Sequence, residues 1–131
     1  MHNKVNYRHE FHAEDDLYSL YEALGWNKYL KLTQNQVNMA IRQSFAVVHA
    51  YINNNLVGTG RVISDGVINA YLCGLGVLPE FRGHGIGTSI TKMLISHCEE
   101  NKLHIQILCE EGLIPYYTKI GFAKFAVGMK F

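Results

Sequence analysis

VLPEFRGHGIGTSITKML, Val77 to Leu94, sets glycines at positions 83, 85 and 87 between an apolar strand pattern and a helical one. Glycine accepts positive φ and lets a ligand or a second backbone come close. The helix predicted to follow runs from about Gly85 to Glu100, with Ile86, Ile90, Leu94 and His97 or Cys98 on one face. Its first N–H groups have no intrahelical partner, and its dipole end there is positive. A single glycine would be read as a tight connection that packs the helix on the sheet. Arg-Gly-x-Gly-x-Gly between strand and helix favours an anion instead, a phosphate or pyrophosphate, with Arg82 as an added cation.

Two common phosphate sites do not fit. A P-loop requires Gly-Lys followed by Ser or Thr, and the chain has no such triplet. In the dinucleotide fingerprint G-x-G-x-x-G, Thr88 stands where the third glycine belongs. That fingerprint also follows the first strand of a parallel sheet. Here the turn follows a predicted meander: FAVVHAYI, a turn at Asn53–Asn55, LVGTGRVI, a second turn at Ser64-Asp65-Gly66, and VINAYLCGLGVL. Beyond the helix, LHIQILC reads as a short apolar strand. Strand, helix and strand between Val67 and Cys109 require a right-handed crossover, so those two strands are expected to be parallel and the sheet mixed.

The flanks complete the outline. VNYRHEF is a candidate first strand. From Glu14 the period becomes helical, with acidic residues in the first turn, Leu17, Leu20, Tyr21 and Leu24 in one stripe, and Gly25 as the stop. A second short helix is predicted from about Gln34 to Arg42, with Val37 and Ile41 four apart. IPYYTKI starts a helix near Pro115 that ends at Gly121, and FAKFAVGMKF is expected to add a last strand or hairpin. No repeat, low-complexity tract or linker interrupts residues 1–131, so one α/β domain is expected, with an antiparallel N-terminal meander, a βαβ crossover and flanking helices.

Composition narrows the class. A formal net charge of +1 supplies no field for wrapping nucleic acid or lying on an anionic membrane. No apolar run reaches the ~20 residues of a membrane span, and the N-terminus lacks the apolar centre of a signal peptide. The three cysteines, Cys73, Cys98 and Cys109, have neither disulfide parity nor C-x-x-C spacing. A reduced, cytoplasmic protein is the expectation. His9 and His12 flank Glu10, but without a further ligand cluster they read as surface histidines and no metal is expected.

RGHGIG resembles the Q/R-x-x-G-x-G/A signature of the GCN5-related N-acetyltransferases, the GNAT family, in that family's order of strand, signature turn and long helix. LGVLPEF is similar to the end of the family's fourth strand, and PYYTKIGF to its F-Y-x-K-x-G-F segment. The resemblance is specific from about Leu75 to Thr88 and from Pro115 to Phe122, and covers the whole chain in element order. It implies an acetyl-CoA-dependent enzyme that transfers acetyl to a primary amine, with a small molecule as the expected acceptor. Backbone N–H groups across Gly83, His84, Gly85, Ile86, Gly87 and Thr88 would cradle the pyrophosphate, beside Arg82. Leu75, Gly76 and Val77 would present main-chain groups to the pantetheine arm and thioester, where Gly76 or Val77 stabilises the oxyanion. Gly74 and Gly76 suit a bulge or close ligand approach within a strand.

By the same resemblance Tyr117 is the general acid for the departing thiolate, and its neighbour Tyr116 is expected in the core. The chain departs from the family pattern at Cys73 and Gly74, where relatives often carry an acid on the fourth strand. It also lacks an asparagine before Tyr117, within a shortened CEEGLIPYY. Something must deprotonate an amine whose ordinary pKa is near ~10. The candidates are Glu110, Glu111, Glu22, His49 or a water relay. A covalent acetyl-Cys73 route is disfavoured, because a cysteine in an apolar strand is usually packing. Tyr18, Tyr21, Trp26 and Tyr29 concentrate in the region that would line the acceptor side, some of them expected in the core, and no acidic groove for a basic peptide is evident. A non-catalytic acyl-CoA-binding sensor on the same fold is the alternative. The sequence leaves room for a homodimer and leaves the acceptor's identity open.

Overall fold

The computed structural model of the chain describes residues 4–10 and 14–131, with the side chains of 14–16 left aside. Phe11, His12 and the acidic side chains at the start of the first helix therefore lie outside the described residues. Five strands form one mixed sheet in the order β1-β2-β3-β4-β5, where β1 is Val5–Arg8, β2 Ala46–Ile52, β3 Asn55–Ser64, β4 Asn69–Val77 and β5 His104–Ile107. The first four are antiparallel neighbours, and β4 and β5 are parallel. The crossover between them is the long helix Ile86–Glu100. In chain order the helices are α1 Glu14–Ala23, α2 Asn27–Leu30, α3 Gln34–Arg42, α4 Ile86–Glu100 and α5 Ile114–Ile120.

Strand alternation divides the core in two. Val48, Ala50, Val62, Ala70 and Leu72 face α4, which answers with Ile86, Ile90, Leu94 and Cys98. Val47, Tyr51 and Leu56 face α1 and α3, which answer with Leu17, Leu20, Tyr21, Val37 and Ile41. The helical stripes expected of α1, α3 and α4 are thus the buried ones, and Cys98 rather than His97 completes the α4 face. Thr33 caps α3 with a reciprocal box: its hydroxyl accepts from the Gln36 N–H at 3.2 Å, and the Gln36 side chain accepts from the Thr33 N–H at 2.9 Å. The β2–β3 turn places Asn53 and Asn54 at φ 51 and 65, the left-handed pair that matches strand twist in a two-residue hairpin.

Two features depart from expectation. The helix α2 lies in a segment without clear periodicity, where the Asn27 side chain bonds the Leu32 backbone through both its groups. The expected terminal strand in FAKFAVGMKF is absent, and residues 122–131 run without a ladder. Alternating apolar residues make a strand only beside a partner with a free edge of matching length. The adjacent β5 has four residues. The tail touches that edge by side chains instead, with the Phe125 ring edge-on to His104 at 5.8 Å, and Val127 and Met129 exposed.

Candidate active site

The sheet opens where β4 outruns β5. Residues Asn69 to Leu72 pair with His104 to Ile107, after which β5 ends while β4 continues from Cys73 to Val77. That stretch keeps its partner on β3 and has no strand on its other side. The result is a cleft of about 1160 Å³, bordered by β4, the start of α4, and α5. An open row of strand N–H and C=O groups is a template for an amide-bearing chain.

Within β4 the register slips. Arg61 faces Cys73 and Thr59 faces Gly76, so one residue of β3 opposes two of β4, Gly74 and Leu75. The extra residue is a β-bulge, and Gly74 sits in it at φ +60, as such a bulge favours. Gly76 serves a different need. A Cβ there would come within 2.7 Å of the Trp26 ring and 2.8 Å of a Leu24 methyl. Glycine at that position lets the wall formed by α1 and α2 close on β4.

At the head of α4, Gly83 and Gly85 both have φ of 82, and a Cβ on either would meet nothing within 4 Å. The turn is therefore open to solvent space, not wedged against the protein. Gly85 is also the residue preceding the first turn of α4, and no side chain caps that end. The first N–H groups of the helix have no intrahelical partner, and Ile86, Gly87 and Thr88 border the cleft. Arg82 is partly committed to the fold, since its Nε donates to the Val77 carbonyl at 2.8 Å and ties the turn to the end of β4. The exposed His84 side chain is not among the cleft's borders, so this residue could contribute there only through its backbone.

Tyr117 borders the cleft from α5, half-buried, with its ring edge-on to Tyr116 at 4.9 Å and to Phe122 at 5.9 Å. Burial raises its pKa above the ordinary 10.0, and the neighbouring Tyr116 and Cys109 add to that. The phenol is protonated at neutral pH. Tyr116 is not a core residue: it is 37 % exposed and shares a hydrogen bond of 2.9 Å with Thr88 Oγ1. Following a proline at the start of a seven-residue helix, it has little behind it to pack on, so its ring reaches across to α4. That contact joins the two walls of the cleft. Nothing in the spacing of PYYTKI signals it.

The candidate bases scatter. Glu110 borders the cleft; Glu111, which begins a short 3-10 turn, does not, and Glu22 lies on α1, where it accepts from Asn27 Nδ2 at 3.3 Å. His49 is 1 % exposed within the sheet, hydrogen-bonded to Thr59 Oγ1 at 2.9 Å, and does not reach the cleft. Cys73 borders the cleft, and burial pushes its thiol above the ordinary 9.0 while Arg61 pulls the other way. Of the aromatics expected on the acceptor side, Tyr21, Trp26 and Tyr29 line it, and Tyr18 packs away among the residues under α1. Arg61 and Tyr71, which sequence reading passed over, stand on that same wall. His9 meets His97 of α4 at 3.3 Å, and among the described residues no three metal-ligating side chains gather.

Comparison with known proteins agrees with this geometry. The model of the acetyltransferase (GNAT) family matches residues 7–122. An uncharacterized N-acetyltransferase, ycf52, of Pyropia yezoensis is 28% identical over 120 residues, covering 88% of this chain and 67% of its own length. A GNAT-family acetyltransferase of Streptococcus pneumoniae superposes with a TM-score of 0.79 at 23% identity, over 98% of this chain and 97% of that one. A predicted acetyltransferase of Clostridium acetobutylicum, crystallised with acetyl-CoA, superposes with a TM-score of 0.69 at 18% identity, over 98% and 96% of the two chains.

Proposed function

The chain belongs to the acetyltransferase (GNAT) family, and from that premise we propose that it moves an acetyl group from acetyl-CoA to a primary amine on a small molecule. The observation that carries this reading is the open edge of β4 leading to the uncapped start of α4. An amide-rich arm ending in a pyrophosphate suits that sequence of sites. Gly83 and Gly85, with space where a Cβ would stand, give such a group room. Bound acetyl-CoA supplies an activated acyl group as a thioester.

The chain's own residues do the rest. Leu75, Gly76 and Val77 hold the arm along β4, and an N–H of Gly76 or Val77 points to the carbonyl oxygen as charge builds there. Loss of one such donor typically costs ~10²–10³ in rate. Backbone N–H groups from Gly83 to Thr88 and the Arg82 guanidinium take the phosphates. Tyr117, held protonated by burial, gives its proton to the leaving sulfur. Glu110 is the carboxylate best placed to receive the amine's proton, directly or through water. Direct transfer needs no enzyme nucleophile, and the raised Cys73 thiol is poorly suited to be one.

The test is release of free thiol from acetyl-CoA across a panel of amines, with calorimetry of CoA binding in parallel. Turnover with at least one amine is expected. Tight CoA binding with no turnover on any acceptor would favour a coenzyme-binding sensor, a reading that the absence of an acid at Cys73 and Gly74 makes worth separating.

A further inference from the structure

One cation stands on the acceptor wall with no counter-charge among the described residues. Arg61 projects from β3 on the α1 side of the sheet, opposite Cys73 and beside the bulge at Gly74. A Cβ on Gly74 would lie 3.2 Å from the Tyr21 hydroxyl and 3.6 Å from both Cγ and Nε of Arg61, so the bulge, the phenol and the guanidinium are immediate neighbours. Nη1 makes a long hydrogen bond of 3.3 Å to Ser44 Oγ, and the Tyr21 phenol lies within hydrogen-bonding reach of the guanidinium. The Nε is buried without a hydrogen-bond partner among the described residues, and no carboxylate among them pairs with the group. Its surroundings are the phenols of Tyr21 and Tyr71. A guanidinium drawn partly out of water with its Nε unsatisfied and only neutral partners is unfavourable, and a planar anion with two oxygens relieves that cost.

We infer that Arg61 is the specificity-determining residue of an anion subsite, and that the acceptor carries a carboxylate or phosphate in addition to its nucleophilic amine. The inference rests on the acetyl-transfer reading for the place of the amine, close to Gly76. Arg61 and Thr59 are two residues apart on β3 and face Cys73 and Gly76. At about 3.3 Å per strand residue, the backbone positions that carry the anion site and flank the amine site are roughly 7 Å apart along the strand. An α-amino acid is too short to fill both positions. A γ-amino acid or an aminoalkyl phosphate can bridge them, and the phenols of Tyr21 and Tyr71 add donors beside the anion.

Two arms separate this from the reading beneath it. The first compares turnover of γ-aminobutyrate with its alcohol counterpart, of phosphoethanolamine with ethanolamine, and of the series glycine, β-alanine, γ-aminobutyrate. Charge-assisted hydrogen bonds of this kind are worth ~10–100-fold. Each anionic amine is expected to exceed its neutral partner in kcat/KM by about that factor, with the longer amino acids best. Arg61→Gln should bring each ratio close to one, and Arg61→Lys should restore part of it. The carboxylate and phosphate pairs tell which anion is preferred.

The second arm needs no catalysis: binding of γ-aminobutyrate and of phosphoethanolamine to the CoA-loaded protein is followed by NMR, in the parent and in Arg61→Gln, with thermal melts alongside. Arg61-dependent binding without turnover would leave the subsite standing and remove acetyl transfer. Equal use of neutral and anionic amines by the parent protein, or a preference that survives Arg61→Gln, would overturn the subsite and leave acetyl transfer in place. The comparison within the parent protein decides the matter even if the variant does not fold.

Discussion

Tyr117 is a half-buried phenol whose hydroxyl proton is held more tightly than in water, and its ring is steadied by Tyr116 and Phe122. Tyr117→Phe keeps those ring contacts and deletes only the proton donor. A positioned general acid contributes ~10²–10⁴ in rate. Thiolate is a fair leaving group, so a fall in kcat of about 10²-fold is expected with little change in KM. Steady-state kinetics on a working amine checks it, and a parental kcat would remove Tyr117 from the chemistry. Cys73→Ala is expected to retain substantial turnover, and an acetyl-Cys73 adduct that forms and decays at the turnover rate would reverse that. Gly85→Val would be a less clean probe than the glycine spacing alone suggests. At φ of 82 a β-branched residue strains the backbone before any ligand arrives, so loss of CoA binding must be read beside a thermal melt.

Elements meet here through glycines that the sequence does not distinguish from turn glycines. Gly60, in the middle of β3, lies under α4, and a Cβ there would come within 2.6 Å of a Leu75 methyl and 2.8 Å of an Ile90 methyl. Gly60→Ala overpacks that contact, and a destabilisation of about 1–3 kcal/mol is expected by urea unfolding. Unchanged stability would mean that α4 can ride further from the sheet than its packing implies. The meander, the crossover and the helices α1, α3 and α4 were legible because each repeats a local period. The helix α2 was not, since it depends on Asn27 holding the Leu32 backbone and not on any stripe. The last strand has the same kind of reason: alternation in FAKFAVGMKF describes a capacity to pair, whereas pairing requires an edge of matching length, and β5 has four residues.

Across the whole molecule, burial raises Cys73, Cys98, Tyr21 and Tyr117 above their ordinary values of 9.0 and 10.0. The folded state therefore holds these protons more tightly than the unfolded chain does. Their contribution to stability is complete below about pH 9 and declines as pH rises through the ordinary values towards the raised ones. A series of melts is expected to show no loss from these groups between pH 7 and 9 and a progressive fall in Tm above that. A Tm that held level to pH 11 would contradict the burial of these groups. Sequence by itself determined the order of the meander, the crossover and the helices α1, α3 and α4, the glycine turn at the head of α4 and the segment that carries Tyr117, because those are statements about neighbours along the chain. Only the tertiary structure decided that β5 stops short and opens the edge of β4, that Tyr116 crosses to Thr88, that His49 is sealed within the sheet, and that Arg61 faces the cleft without a counter-charge among the described residues. Each of these depends on register and on which surfaces meet across the fold, and residues far apart in sequence settle them together.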